Sequence, residues 1–289
     1  RGARARRPIG GGPALVRALL RALQERGVRV HCGEALGGLL ASGRGASSRV
    51  RGAWLADGRE FRADAVLSTL SPRRTLEQLA GVELLTPEDR DSLRPLRSRG
   101  TIAVLDLAFD REPAPAEAEA GGFERLRLLS DMRQLEDAAD AVKHGRVAQE
   151  PWLEVFAVRQ PDGRALWTTH VHGVPHRLEG GWTVSARREL AQRVYAVLGD
   201  AFPELAESVT AERLRTPSDL ARGHGLDGGH LWQAELALDQ LLLLRPTHEL
   251  SRYLTPLAGL CVGGTAQHPG GVMPGQAGRL AADALMRVT

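Results

Sequence analysis

Apolar and polar positions repeat along the chain with the periods of helices and strands. Over residues 13–26 the apolar side chains form one helical stripe with charged residues opposite, and Pro13 and Gly27 suit the two ends of a helix. Similar patterns predict helices that begin near 72 and 87 and others over 131–144, 184–198 and 276–287. Short apolar runs bounded by turn residues predict strands at 28–32, 49–55, 60–62, 63–69, 101–109, 152–158, 165–171 and 260–262.

The order of these elements divides the chain into three parts. Residues 1–72 and 258–289 combine short apolar strands with helices, as α/β proteins do. Residues 73–257 mix antiparallel strands with helices, which is typical of an α+β unit. The sequence therefore predicts a fold of the α/β plus α+β class.

The composition is that of an ordinary globular protein, with 43% hydrophobic and 25% charged residues among 289. Arginines alternate with acids along the chain, so the net charge of +3 does not indicate nucleic-acid binding. The arginine-rich residues 1–7 fit a solvated end better than a phosphate-binding arm. No apolar run is long enough to span a bilayer. Cys32 and Cys261 lie in apolar contexts without metal-ligand spacing, which predicts buried free thiols in a reducing cytoplasm.

A glycine-rich loop over 263–275 joins the last predicted strand to the last predicted helix. Its glycines allow the backbone to approach a flat or phosphorylated ligand closely. The helix N-terminus beyond it offers free N–H groups and partial positive charge to an anion. A tight structural turn has a similar composition, so the loop by itself leaves both ligand binding and a structural role open.

Several segments in order resemble one family. The segment GLCVGGTAQHPGGVMPGQAGRLAADAL is similar to the C-terminal flavin motif of phytoene-desaturase-like oxidoreductases, within the flavin amine oxidase superfamily. The segments PIGGGPALVRALLRALQERGVRVHCGEALGGLL and LADGREFRADAVLSTLSPRRTLEQL resemble two upstream parts of the same family. In the centre, EPWLEVFAVRQPDG and ALDQLLLLRP resemble the branch with pyridine-nucleotide-disulphide-oxidoreductase-like members. The resemblance covers most of the chain.

The resemblance implies a fold, a cofactor and a set of contacts. Residues 1–72 and 258–289 would form an incomplete Rossmann-like FAD-binding layer, with 73–257 inserted as a mixed-sheet substrate-binding domain. Strand 63–69 would then lie beside strand 260–262. FAD would take a hydride from an apolar substrate, and His268 would orient the loop or relay a proton. The implied cofactor contacts are Ala35, Thr69, Leu70, Gly263, Gly264, Gly271, Val272, Met273 and Gly275.

The chain also departs from the family pattern. Ala266 stands where the family has a second glycine, and Gln267 replaces a small residue before His268. The sequence contains no GxGxxG turn that lies between a predicted strand and a predicted helix, with a ribose-binding acid roughly 20 residues later. The pattern is that of a fragment or split subunit, whose expected partners are the missing dinucleotide-binding segment, an apolar substrate and, peripherally, a membrane. The alternative is a degenerate, non-catalytic partner that keeps the fold but does not bind FAD alone.

Two further features lie in the centre of the chain. His170, His172 and His176, in HVHGVPH, put two imidazoles on one face of a strand. A metal would need all three and an outside donor, so ordinary polar strand positions and no metal are expected. Aromatic residues and leucines of this region are expected to line the substrate cavity, namely Trp152, Phe156, Trp167, Trp182, Trp232 and residues 241–244.

Overall fold

The computed structural model describes residue 8 and residues 10–43, 45–116, 123–160, 162–270 and 275–288. In these residues the helices are α1 Gly11–Glu25, a π-helix over Arg74–Gly81, α2 Pro87–Leu93, α3 Met132–Lys143, α4 Val184–Ala201, α5 Leu205–Ser208, α6 Pro217–His224 and α7 Gln276–Leu285. The strands are β1 Leu36–Ser42, β2 Arg49–Leu55, β3 Glu60–Arg62, β4 Val66–Ser68, β5 Ile102–Phe109, β6 Arg125–Leu128, β7 Leu153–Arg159, β8 Ala165–His172, β9 Val209–Arg215 and β10 Leu260–Val262. They form three sheets, in the orders β1-β2-β3, β10-β4 and β6-β7-β8-β5-β9.

The first sheet is an antiparallel meander in which β2 pairs with both β1 and β3. The predicted hairpin between β2 and β3 is confirmed, and Leu55 N donates to Arg59 O at 2.9 Å across its turn. The strand predicted at 28–32 does not form. This short apolar run has no strand partner among the described residues, so Cys32 is exposed and not buried as the sequence predicted.

The second sheet brings together two distant parts of the chain. Strands β4 and β10 pair in parallel over all three residues of each, which confirms the predicted closeness of 63–69 and 260–262. Helix α7 packs on this pair, and its Ala281 is fully buried. The first sheet is tied to the same layer because Val50 N donates to Ala258 O at 2.8 Å.

Helix α1 forms where its periodicity predicts a helix, but none of its residues is buried in the described structure. Its apolar stripe stays at the surface, with Leu15 43% and Leu19 57% exposed. The amphipathic pattern thus predicted the helix correctly. It did not predict which segment, if any, covers the apolar face of the helix.

A five-stranded antiparallel sheet forms most of the remaining structure. Side chains alternate across a strand, so one face of β5, β7 and β8 packs against α4 and buries Leu105, Trp167 and Phe109. The opposite face carries polar residues at the alternate positions, including Asp106 and Glu154. The predicted β7–β8 hairpin is confirmed by full antiparallel pairing.

Loss of packing at the centre of this sheet is expected to destabilise the protein. Leu105→Ala removes a side chain without exposed surface, and such truncations cost about 2–5 kcal/mol. Leu166→Ala on the neighbouring strand is the matched control, because Leu166 is 39% exposed and surface changes usually cost about 0.5 kcal/mol or less. Urea unfolding followed by circular dichroism measures both variants. Equal losses of unfolding free energy would contradict this description of the core.

Candidate functional site

The carboxyl ends of β4 and β10 bring four of the residues expected at the cofactor together. Thr69 and Leu70 follow β4, and Gly263 and Gly264 follow β10, so the parallel pairing places both dipeptides at one sheet edge. Gly263 N donates to Ser68 O at 2.8 Å. A Cβ added to Gly264 would lie 2.2 Å from the carbonyl oxygen of Thr69. Only glycine therefore allows the two chain segments to come this close.

The helix that follows the loop begins without a side-chain cap. Gly275 is the N-cap of α7 with φ +81°, and no side chain of the residues that the structure describes caps this end. The first N–H groups of a helix have no partner within it, and their partial positive charge favours an anion. Gly263 packs against the same helix, since an added Cβ would lie 2.7 Å from the Cβ of Ala281. Gly271, Val272 and Met273 lie outside the described residues.

Ala35 stands apart from these residues in its contacts. It is exposed at the start of β1, and its carbonyl accepts a hydrogen bond from Ala56 N at 2.8 Å, next to the β2–β3 turn. Its place beside a cofactor stays a prediction.

His268 is held by two neighbours with unusual backbone angles. Its Nδ1 lies 3.1 Å from Leu242 O, and its carbonyl accepts from the Tyr253 hydroxyl at 3.1 Å. Because a carbonyl oxygen can only accept, Nδ1 is assigned as the donor in this contact, and in the neutral ring Nε2 then carries the lone pair. Leu242 and Tyr253 have φ of 50° and 70°. Such left-handed angles in non-glycine residues cost free energy and cluster at functional sites.

Arg245 organises the other side of the loop, a role that was not predicted from the sequence. Its guanidinium is fully buried and donates to five backbone carbonyls, including Thr265 O at 3.2 Å. Burial lowers the pKa of this group, and no carboxylate among the described residues pairs with it. Its Nε has no hydrogen-bond partner among the described residues and lies 3.1 Å from where a Cβ of Gly270 would stand. The signals in the sequence are its place directly after an apolar run and within the family-like segment ALDQLLLLRP.

The two departures from the family pattern are both buried. The methyl group of Ala266 packs with Leu96 and Ala234 in a small cluster, so it points into the protein. Gln267 is also fully buried, and neither amide atom of its side chain has a hydrogen-bond partner among the described residues.

Together these features fit a bound nucleotide. Ligands of α/β sheets bind outside the carboxyl ends of parallel strands, where Thr69 and Gly264 meet in this chain. The uncapped start of α7 supplies N–H groups to an anion. Buried polar atoms without partners, on Gln267 and Arg245, are the kind of group that a polar ligand satisfies.

The aromatic and leucine residues expected at a substrate cavity do not share one place. Trp167 lies in the hydrophobic core of the large sheet. Leu242, whose carbonyl contacts His268, and the following Leu243 are instead 73% and 78% exposed. A wide cavity of about 960 Å³ lies between α3 and α4, but residues such as Asp137 and Arg193 line it and none belongs to the loop. We give greater weight to the loop, because it directly follows the paired strand ends and lies beside buried polar atoms that have no hydrogen-bond partner among the described residues.

A polar network crosses the outer face of the large sheet. Glu154 Oε1 accepts from Arg125 Nε at 2.8 Å and from Arg127 Nε at 2.9 Å. Burial raises the pKa of Glu154, but hydrogen bonds and charge from both arginines outweigh it and lower the pKa overall. His170 and His172 lie on the same face, and burial lowers the pKa of His170 and brings that of His172 to about 4.

Comparison with known proteins places the chain in a family. Its sequence matches the family model described as flavin containing amine oxidoreductase over residues 1–286. The chain therefore belongs to the flavin containing amine oxidoreductase family, which confirms the resemblance found in the sequence, and its mixture of helices and sheets is consistent with that fold. None of the helices formed by the described residues is long and apolar enough to cross a membrane.

Individual relatives match most of this chain and about half of their own length. Pyridine nucleotide-disulfide oxidoreductase domain-containing protein 2 of Mus musculus is 29% identical over 295 residues, covering 96% of this chain and 50% of that protein. Phytoene desaturase (lycopene-forming) of a Paracoccus species is 27% identical over 244 residues, covering 82% of this chain and 46% of that enzyme. The crystal structure of the PF1083 protein from Pyrococcus furiosus has a TM-score of 0.47 at 14% identity, covering 97% of this chain and 53% of that one. This structural likeness is too distant to define a function.

The close approach of the two strand ends is expected to exclude any side chain at residue 264. Gly264→Ala forces its Cβ against the backbone oxygen of Thr69, and overpacking of this kind costs about 1–3 kcal/mol. Gly278→Ala in α7 is the matched control, because an added Cβ meets nothing closer than 3.9 Å and alanine stabilises a helix by about 0.5–1 kcal/mol relative to glycine. Thermal and urea unfolding measure both changes. A Gly264→Ala protein as stable as wild type would show that the strand ends lie further apart than described.

Proposed function

We propose that this chain supplies the substrate-binding part and one flavin-contacting part of an FAD-dependent oxidoreductase. The enzyme would act as a desaturase or dehydrogenase that removes a hydride from an apolar substrate. Membership of the flavin containing amine oxidoreductase family supports a flavin cofactor. FAD itself, the domain division at 72 and 257 and the substrate class are parts of the proposal.

One observation carries the proposal. The parallel pairing of β4 and β10 puts Thr69 in van der Waals contact range of Gly264, directly before the glycine-rich loop and the uncapped helix α7. A strand, a glycine-rich loop and a free helix N-terminus are the parts from which dinucleotide-phosphate sites are built. Gly263, Gly264 and Gly275 would let the backbone approach the cofactor, and the N–H groups of α7 would favour its negative charge.

His268 is the side chain best placed to move a proton beside that loop. With Nδ1 donating to Leu242 O, the Nε2 lone pair is free to accept a proton. FAD, when bound, accepts the hydride, so the protein needs no nucleophile of its own. His268 then takes the proton that leaves with the hydride, while Arg245 keeps the preceding turn in place through Thr265 O. His268 is therefore proposed as the catalytic base.

The surface around His268 supports an apolar substrate. Leu238 is 91% exposed, and Leu242 and Leu243 are exposed next to it in sequence. Exposed apolar residues grouped in this way mark sites that bind apolar molecules or membranes. We extend the proposal to a peripheral membrane contact at these leucines, from which such a substrate would enter. The free thiols of Cys32 and Cys261 support a reducing, cytoplasmic setting.

The proposed cofactor site needs a further dinucleotide-binding segment, because no GxGxxG turn among the described residues joins a strand to a helix. Coexpression with such a strand–GxGxxG–helix segment from the same family is expected to give yellow protein. In that complex Gly275→Val should lower bound flavin at least several-fold, since valine disfavours φ +81° at the start of α7. Absorbance of the purified complex measures flavin per chain.

Gly163→Val is the matched control for Gly275→Val. Gly163 has φ +89°, lies in the β7–β8 turn and, like Gly275, has open space around an added Cβ. The Gly163→Val substitution imposes similar backbone strain away from the loop, so flavin content should stay near that of wild type. If no complex binds flavin, or if both variants lose it equally, the loop is not the cofactor site and a non-catalytic role for the chain is the better account.

Turnover is expected to depend on His268 when the flavin site is complete. His268→Gln keeps a hydrogen-bond donor for Leu242 O but removes the basic Nε2, and loss of a general base lowers rates by about 100-fold or more. His248→Gln is the control, because His248 is exposed in the same part of the chain. Dye reduction with apolar polyenes measures the rate, and flavin absorbance should be unchanged in both variants. Equal activity of His268→Gln and wild type would remove His268 from the mechanism.

A further inference from the structure

Three potential metal ligands meet on the outer face of the large sheet. Strands β7 and β8 pair so that Glu154 lies opposite His170. His172 is two residues further along β8 and points to the same face, because side chains alternate along a strand. One nitrogen of each histidine and one oxygen of Glu154 lie within 4.8 Å of one another. This hairpin is away from the flavin loop in sequence, and the proposed function assigns no role to it.

The hydrogen bonds described for the cluster leave its inner atoms unsatisfied. Glu154 Oε1 is occupied by Arg125 and Arg127. Its other oxygen, Oε2, lies 3.9 Å from His170 Nδ1, which is too long for a hydrogen bond. Nε2 of His172 is buried and has no hydrogen-bond partner among the described residues. A purely structural polar network would satisfy such buried atoms.

The surrounding side chains hold the three groups in fixed orientations. Trp152 stacks on the His172 ring with centroids 3.4 Å apart and 12° between the planes. Phe156 contacts the His170 ring edge-on at 5.0 Å. The two arginines bind the carboxylate of Glu154 through Oε1, and Oε2 lies on the side of His170. Hydrogen bonds to the far side of a ligand carboxylate are the usual outer support of protein metal sites.

The cluster also has the protonation states that a metal needs. Bound metals require neutral imidazoles and ionised carboxylates. Burial lowers the pKa of both histidines, so their rings are neutral at neutral pH, while Glu154 is ionised beside its arginines.

We propose that Glu154, His170 and His172 form a binding site for one divalent transition-metal ion, with Zn²⁺ the best-suited ion. Two imidazoles and one glutamate are the protein ligands of open zinc sites, in which a fourth position takes water or an oxygen or nitrogen donor of a substrate. The guanidiniums of Arg125 and Arg127 repel a dication, so the site is weaker than a closed structural zinc site. The sequence predicts no metal at HVHGVPH, because a site there would need His176 and an outside donor. The fold instead supplies Glu154 from the neighbouring strand.

Titration of the tag-free, chelator-treated chain with Co²⁺ tests the site directly. Tetrahedral Co²⁺ with nitrogen and oxygen ligands absorbs visible light far more strongly than aqueous Co²⁺, and Zn²⁺ should displace it with loss of that colour. We expect one Co²⁺ per chain in wild type. His170→Gln, His172→Gln and Glu154→Gln should each weaken binding roughly tenfold or more.

His176→Gln is the matched control, because it changes the third histidine of the same segment and should bind Co²⁺ as wild type does. Circular dichroism and thermal unfolding of each variant separate loss of a ligand from loss of fold. The proposal is overturned if wild-type protein leaves the Co²⁺ spectrum unchanged, or if folded ligand variants bind as tightly as His176→Gln. Flavin content of the reconstituted complex should not change in any of these variants, so failure here leaves the proposed oxidoreductase function untouched.

Discussion

Strands β4 and β10 have three residues each, and strands this short persist only when a neighbour supplies their hydrogen bonds. Each forms because the other lies beside it in parallel. The pairing fixes where β4 ends relative to the glycine-rich loop, where α7 packs and how the β1–β3 meander attaches through Ala258. Removing this contact would separate Thr69 from Gly264, and the candidate cofactor site would no longer exist.

Holding the loop beside that pair in its conformation costs free energy in two ways. Arg245 is buried without a carboxylate partner among the described residues, and burying an unpaired charge is unfavourable unless hydrogen bonds replace its water. Its five carbonyl partners do so, and they connect the 232–240 segment to Thr265. Left-handed backbone angles at Leu242 and Tyr253 add strain on the same side. Proteins maintain such features where a defined loop conformation serves a function.

The large sheet separates two kinds of chemistry by the alternation of its side chains. One face buries Trp167 and Leu105 against α4 and supplies the hydrophobic stability of this part of the chain. The other face, one residue further along each strand, holds Glu154 and His172 in a partly buried polar network. Because a shift of one residue would exchange the faces, the apolar core fixes the register that brings the proposed metal ligands together.

The sequence by itself determined most of the local elements and the family. Helical periodicity located α1, α3 and α4, and alternation located the hairpins. The quoted motifs predicted a cofactor-contacting loop at 263–275 and the closeness of 63–69 to 260–262, of which the structure confirms the second. These features depend on residues that are close in sequence or on a whole motif, so they can be predicted from the sequence alone. Tertiary structure alone decided the exposure of α1 and Cys32, the burial of Arg245 and the meeting of Glu154 with His170. Each of these depends on which distant segment covers or pairs with a residue, and local pattern contains no information about that partner.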